Sequence, residues 1–202
     1  MIKAIIFDFG GVLVDWNPRY LYADVFSDTE KMEWFLHEVC STAWNLEQDR
    51  GRSFADGIAL LEKQYPAFQK EIRLFWEGWP KMLKEKIAET VTLLPQLKQN
   101  YAVYGLTNWS AETFPILMDR FDFVQLFDDI VVSGDEGLVK PDKSIYELLL
   151  KRYNLLAQEC IFIDDNSDNV KAAEQLGFSA ILYKNSDYLM QDLSSLGVKG
   201  FQ

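Results

Sequence analysis

The sequence predicts an α/β fold: an open parallel sheet with helices on both faces and a helical insertion. Three observations support that expectation. Five short runs rich in Ile, Val and aromatic residues lack polar alternation, as strands covered on both faces do. Stretches with apolar residues at helical spacing lie between them. Between the first and second runs the rhythm breaks, and residues 15–86 read as successive helices without a convincing strand.

Along the chain, strands are expected at Ala4–Phe7, Ala102–Leu106, Ile130–Val132, Ile161–Ile163 and Ala180–Tyr183. Ser27-Asp28-Thr29-Glu30 reads as a capping box ahead of Met32, Trp34, Phe35 and Val39. Asp49-Arg50-Gly51 is a turn, and Ser53 is placed to cap a helix running to about Tyr65. Pro66 and Pro80 mark the next boundaries. A helix is expected over Glu89–Gln99. Pro141 suits the first turn of another, Pro141–Tyr153, whose apolar face is Ile145, Leu148 and Leu149. Asn169–Leu176 stops at Gly177. An insertion this long is a cap and not a crossover. Residues 1–14 and 87–202 are therefore expected to form one core, and 15–86 a helical cap.

The 202-residue chain is 49% apolar and carries 31 acidic against 20 basic residues, a formal charge of −11. Such a balance suits a folded domain and argues against a nucleic-acid backbone or an anionic membrane as partner. No run is long and apolar enough to cross a bilayer, and Asp8 interrupts what would be the apolar heart of a signal peptide. Cys40 and Cys160 are too few for a disulfide framework, so a cytoplasmic protein with reduced thiols is expected. Nothing in the pattern specifies an oligomeric state.

Polar groups follow three of the apolar runs. Asp8 succeeds AIIF, Thr107-Asn108 closes YAVYGL, and Asp164-Asp165 closes CIFI. An aspartate after a strand is ordinarily turn chemistry. In an open parallel sheet, however, ligands bind beyond the carboxyl ends of the strands, which brings these groups to one crevice. Three converging carboxylates repel, and desolvation raises the cost, so a cation is needed to keep them ionised. A hard, oxygen-seeking ion such as Mg2+ meets that need. Lys140, on the loop after the third run, is by default a solvated surface group. Facing the same edge, it would pair with Asp8 and a substrate anion. A nucleophile, a metal and a fixed cation together suit phosphoryl transfer.

These residues resemble the haloacid dehalogenase superfamily of hydrolases over nearly the whole chain. FDFGGVLVD looks like its first motif, LTN its second, VKPD its third and FIDDNSDN its fourth, in matching order and spacing. The resemblance implies a Rossmann-like core, a cap of the kind placed between motifs one and two, and Mg2+-dependent hydrolysis of a small phosphorylated metabolite. By resemblance Asp8 is the nucleophile that forms an aspartyl-phosphate, Thr107 and Asn108 bind phosphoryl oxygens, and Lys140 is the clamp. Asp165, Asp8 and the Gly10 carbonyl would hold the metal. Asp164 would assist through a water or by orienting Lys140, with Asn169 farther out. The tail FIDDNSDNVKAAEQLGFSAILYKN resembles the sugar-phosphate branch, which makes a sugar 1-phosphate the first substrate to try.

One departure matters. Relatives usually carry an aspartate two residues after the nucleophile as acid–base catalyst, and this chain has Gly10. Such catalysis is worth on the order of 10²–10⁴ in rate. The proton would have to come from elsewhere, Asp15 being one candidate, unless turnover is weak or the leaving group good. Two other readings therefore stay open. One is a metal-independent dehalogenase, which also lacks the second acid but has Ser-Ser-Asn where this chain keeps Asp164-Asp165. The other is a weakly active or non-catalytic phosphate-binding protein.

Trp34, Phe35, Trp44, Phe54, Phe75, Trp76 and Trp79 make the insertion aromatic, and a packed helical core accounts for them. Trp16 and Asn17, just after the first motif, are candidates to line a substrate pocket, as is Trp109 after LTN. Arg19, Arg50 and Arg52 are solvated surface by default, although each would suit an anionic substrate. His37 is read as structural, since a lone histidine is a poor metal site.

Overall fold

Ala4–Phe7 (β1) is buried at every position because it is the middle strand of five. The computed structural model describes residues 1–200. The other strands are β2 (Val14–Trp16), β3 (Leu83–Lys86), β4 (Ala102–Thr107), β5 (Asp129–Val132), β6 (Cys160–Asp164) and β7 (Ser179–Leu182). The main sheet runs β5-β4-β1-β6-β7 and is parallel throughout, with Ile5 opposite Val103 on one side and Ile161 on the other. Side chains alternate across it. Ile5 and Phe7 join the core that includes Leu94, Leu97 and Leu189, while Ala4 and Ile6 meet Ile145, Tyr146 and Leu149 on the opposite face. Both faces are covered, which explains the unbroken apolar runs.

Five expected strands are thus present, each within about a residue or two of its expected ends. Four details differ. First, residues 15–86 are not strand-free. β2 and β3 pair antiparallel, Trp16 opposite Leu83 and Val14 opposite Lys86, so a short ribbon stands where the helical insertion leaves and rejoins the sheet. Of its second strand, LKEK, only Leu83 is buried, which is why composition did not reveal it. Second, the cap of helix Thr29–Trp34 is Asp28, not Ser27: one Asp28 oxygen accepts from the Glu30 and Lys31 N–H groups. Third, the helix expected over Glu89–Gln99 is two, Ala88–Val91 and Leu94–Leu97. Pro95 has no N–H to donate to Val91, and its ring would crowd that carbonyl. Fourth, Pro141 lies ahead of its helix, after a cis Lys140–Pro141 bond; the helix spans Lys143–Arg152 with Asp142 in the extended cap position.

Between β2 and β3 the helices Thr42–Asp49, Phe54–Gln64 and Gln69–Glu77 follow one another, Ser53 capping the second by accepting from the Asp56 N–H. Phe35, Phe54, Phe75 and Trp79 are almost wholly buried, and Trp44 meets Phe75 edge-on at 5.0 Å between centroids. These aromatics make a core, as expected; Trp34 and Trp76 are the more exposed members. No helix among the described residues is long and apolar enough to cross a membrane.

Candidate active site

β1, β4 and β6 lie side by side, so the residues following them emerge together. The Asp8 N–H donates to the Ile163 carbonyl at 2.9 Å and carries the ladder one residue beyond β1. Asp164 ends β6 and Thr107 ends β4. Lys140 reaches into this corner with almost no exposure. Its ammonium donates to Asp164 Oδ2 at 2.7 Å, to the Leu106 carbonyl at 2.7 Å and to Asp8 Oδ1 at 2.9 Å. All three hydrogens of the ammonium are thereby used. Burial alone would lower the Lys140 pKa, but Asp164 and Asp8 outweigh it and the net shift is upward.

The surroundings hold this pair in place. Asn108 Oδ1 accepts from the Lys140 N–H at 2.8 Å while its Nδ2 donates to the Lys140 carbonyl at 2.9 Å, fixing the backbone from which the lysine extends. Asn169 Nδ2 lies 3.1 Å from both Asp164 oxygens, and the Asn166 N–H donates to Oδ1 at 2.8 Å. Asp164 is therefore bound on every side, and its contact with Lys140 is direct. Thr107 differs. It is fully buried, yet its hydroxyl has no hydrogen-bond partner, a donor held ready at the strand end.

Oxygens of Asp8, Asp164 and Asp165 all lie within 4.8 Å of one another. Three carboxylates and one ammonium leave a formal charge of −2, which a divalent cation would neutralise. Burial pushes the Asp8 carboxyl up to about 7; Lys140 opposes this and Asp164 adds to it. Desolvation and the adjacent Asp164 likewise raise Asp165. Gly11 makes room for the cluster. Its φ is +74°, and a Cβ there would stand 2.2 Å from Asp165 Oδ2. An all-oxygen donor set with this charge fits Mg2+.

A cavity of about 90 Å³ opens on the cluster, lined by Asp8, Gly10, Trp16, Asn45, Asp49 and Trp109 among others. A second, of about 380 Å³, shares Trp16 and Asn45 with it and continues past Asn17 and Arg19. Trp16 and Trp109 thus line the inner cavity and Asn17 the outer one. Neither indole N–H has a hydrogen-bond partner. Gly10 is not crowded: a Cβ there would meet nothing nearer than Trp109 Cζ3 at 4.0 Å.

The other candidates have partners of their own. Asp15 accepts from the Tyr20 hydroxyl at 2.7 Å and lines neither cavity. Arg19 forks onto Glu33 at 2.6 Å, Arg50 meets Asp142 at 3.0 Å, and Arg52 bonds Gln48 and the Trp44 carbonyl. His37, expected as a structural residue, is exposed beside Glu38. Asp49 was read only as a turn residue. It is half-buried and lines the inner cavity, and desolvation raises its carboxyl to about 7, the Ser110 N–H opposing and Asp8 adding. Local sequence holds no sign of this, because the residues packed against the turn lie far away in the chain.

Comparison with known proteins identifies the family. The model of the haloacid dehalogenase-like hydrolases matches residues 2–177. A sesquiterpene phosphatase, astK of Aspergillus oryzae, is 33% identical over 96% of each chain. The D-ribitol-5-phosphate phosphatase of Bacteroides thetaiotaomicron is 24% identical over 96% of this chain and 98% of its own. One 30%-identical relative is longer, and the chain spans 37% of it. Among solved structures, a haloacid dehalogenase family enzyme from Bacteroides thetaiotaomicron, in complex with magnesium and inorganic phosphate, superposes with a TM-score of 0.71. That pairing covers 92% of this chain and 96% of the other at 22% identity. With a parallel five-stranded sheet and a family model matched over most of its length, the chain belongs to the haloacid dehalogenase-like hydrolases.

Proposed function

We propose that the chain hydrolyses small phosphate monoesters with Mg2+ and passes through an aspartyl-phosphate on Asp8. The observation that carries this reading is the buried Lys140 ammonium bridging Asp8 and Asp164 beside a third carboxylate. Asp8, Asp165 and the Gly10 carbonyl would hold the ion, with Asp164 behind them. The bound ion would offset the negative charge shared by the carboxylates and the phosphoryl group.

The protein groups divide the remaining work. Asp8 attacks phosphorus, and Lys140 fixes its carboxylate through Oδ1. The partnerless Thr107 hydroxyl donates to a phosphoryl oxygen as charge develops there. Asn108 holds Lys140 and lines the cavity. The ester's organic part lies toward Trp16, Asn17 and Trp109, beneath a cap taken as residues 15–86 over a core of 1–14 and 87–202. The β2–β3 ribbon forms the cap's stem.

Retention of Asp164 and Asp165 favours this over metal-free halide displacement, since two such acids are useful only with a cation. The magnesium and phosphate in the Bacteroides structure support the same choice. A phosphate-release screen over sugar phosphates, nucleotides, acyl phosphates and terpenyl monophosphates tests it, with sugar phosphates first. Release that needs Mg2+ and stops in EDTA is expected; release unchanged by EDTA would overturn the mechanism.

A further inference from the structure

Hydrolysis of an ester with a poor leaving group needs a proton at the departing oxygen, and Gly10 has none to offer. Another acid stands in the same cavity. Asp49 closes helix Thr42–Asp49 and comes from the insertion, whereas Asp8 comes from the sheet. Its position is over-determined. Ser133 Oγ donates to its carbonyl, Asn45 Nδ2 donates to Oδ2 at 3.1 Å, and the Ser110 N–H bonds its carboxyl group. Ser133 Oγ also accepts from the Trp109 N–H at 2.9 Å, which ties the turn to the loop after β4.

Among the described residues no cation forms an ion pair with this carboxyl. On its own helix and turn, Arg50 is drawn to Asp142 and Glu47, and Arg52 to Gln48 and Trp44. From the loop after β4, Glu112 accepts the Phe54 N–H at 2.8 Å. From the end of β1, Asp8 faces it across the cavity and repels its ionised form. A half-buried, desolvated acid with a carboxylate opposite and no cation at hand favours its protonated form. A purely structural carboxyl in such a place would be served as well by an amide.

We propose that Asp49 is the acid–base catalyst of this site, supplied by the insertion in place of the aspartate that Gly10 lacks. The assignment rests on the reaction proposed above. In the first step an Asp8 oxygen bonds to phosphorus, the bond from phosphorus to the ester oxygen breaks, and that oxygen takes the Asp49 proton to leave as an alcohol. In the second, the Asp49 carboxylate takes a proton from water as its oxygen attacks the aspartyl-phosphate. The bond from Asp8 to phosphorus breaks, and inorganic phosphate departs with Asp49 protonated again.

The test compares an alkyl phosphate with p-nitrophenyl phosphate, whose leaving group departs without a proton. Asp49→Asn should lose about 10²–10⁴ in kcat on the alkyl ester. On the aryl ester it should still release a burst of nitrophenol, one equivalent per enzyme, and then stall at the aspartyl-phosphate. Gly10→Asp has room for its Cβ and, added to Asp49→Asn, should restore part of the alkyl rate. In wild type, kcat/KM on the alkyl ester should fall as pH rises past the range where the acid ionises, a limb absent from Asp49→Asn. Equal losses on both esters without a burst, or a wild-type alkyl rate in Asp49→Asn, would overturn the assignment. An unaltered rate in Asp8→Asn would instead overturn the underlying reaction, so the two failures are distinct.

Discussion

The Lys140 ammonium sits 2.7 Å from Asp164 Oδ2, with side-chain exposures of 1% and 0%. Neither charge reaches water, so each depends on the other. Removing one partner of such a pair typically costs about 3–5 kcal/mol, because the survivor stays buried and uncompensated. Lys140→Met should therefore lower the unfolding free energy by about that amount in urea titration, and abolish turnover. A variant as stable as wild type would show that the ion pair is not what holds this corner together.

Thr107 invites the opposite sign. Its buried hydroxyl has no partner, so the fold loses no hydrogen bond when that group is replaced. Thr107→Val should leave stability equal or slightly higher, while kcat falls by about 10²–10³, the cost of losing one donor to developing phosphoryl charge. Parallel measurement of the thermal midpoint and phosphate release separates the two effects.

Gly11 is tied to the proposed metal site through Asp165. A methyl group there would strike Asp165 Oδ2 and also Cγ, at 2.8 Å, and φ near +74° disfavours any side chain. Gly11→Ala should raise the Mg2+ concentration needed for half-maximal activity by about tenfold or more, as loss of a supporting contact to a metal ligand does. Magnesium titration of activity checks this.

Two desolvated acids make stability depend on pH. Asp8 and Asp49 are both pushed from 3.8 to about 7, chiefly by burial. Because the folded values lie above the unfolded ones, their stabilising contribution is complete below about pH 4 and lost as pH rises through about 7. In EDTA, the thermal midpoint should show a decrease from these groups between about pH 4 and pH 7. Mg2+ should reverse the Asp8 part at the upper end, and Asp49→Asn should remove its own.

The legible parts of this molecule are those set by neighbours along the chain or by burial on both faces. AIIF and CIFI read as inner strands because both sheet faces demand apolar side chains, and the groups that end them then fell into one crevice. The β2–β3 ribbon escaped notice because Leu83 is the only buried residue of its second strand. The start of the helix after Lys140 was misplaced because proline fits several positions near a helix start, and only the chain turn chooses among them. Asp49 was hidden for a deeper reason. Its partial burial and its view of Asp8 come with contacts to Ser110 and Ser133, far along the chain, which no local pattern encodes.

Acid-quenched enzyme, taken in mid-turnover with Mg2+ and a phosphate monoester and digested to the peptide spanning Asp8, reads the central step most directly. A phosphoryl adduct on that peptide is expected in wild type, with none in Asp8→Asn or in EDTA. Steady phosphate release from Asp8→Asn at the wild-type rate, with no adduct on either protein, would contradict Asp8 as the nucleophile.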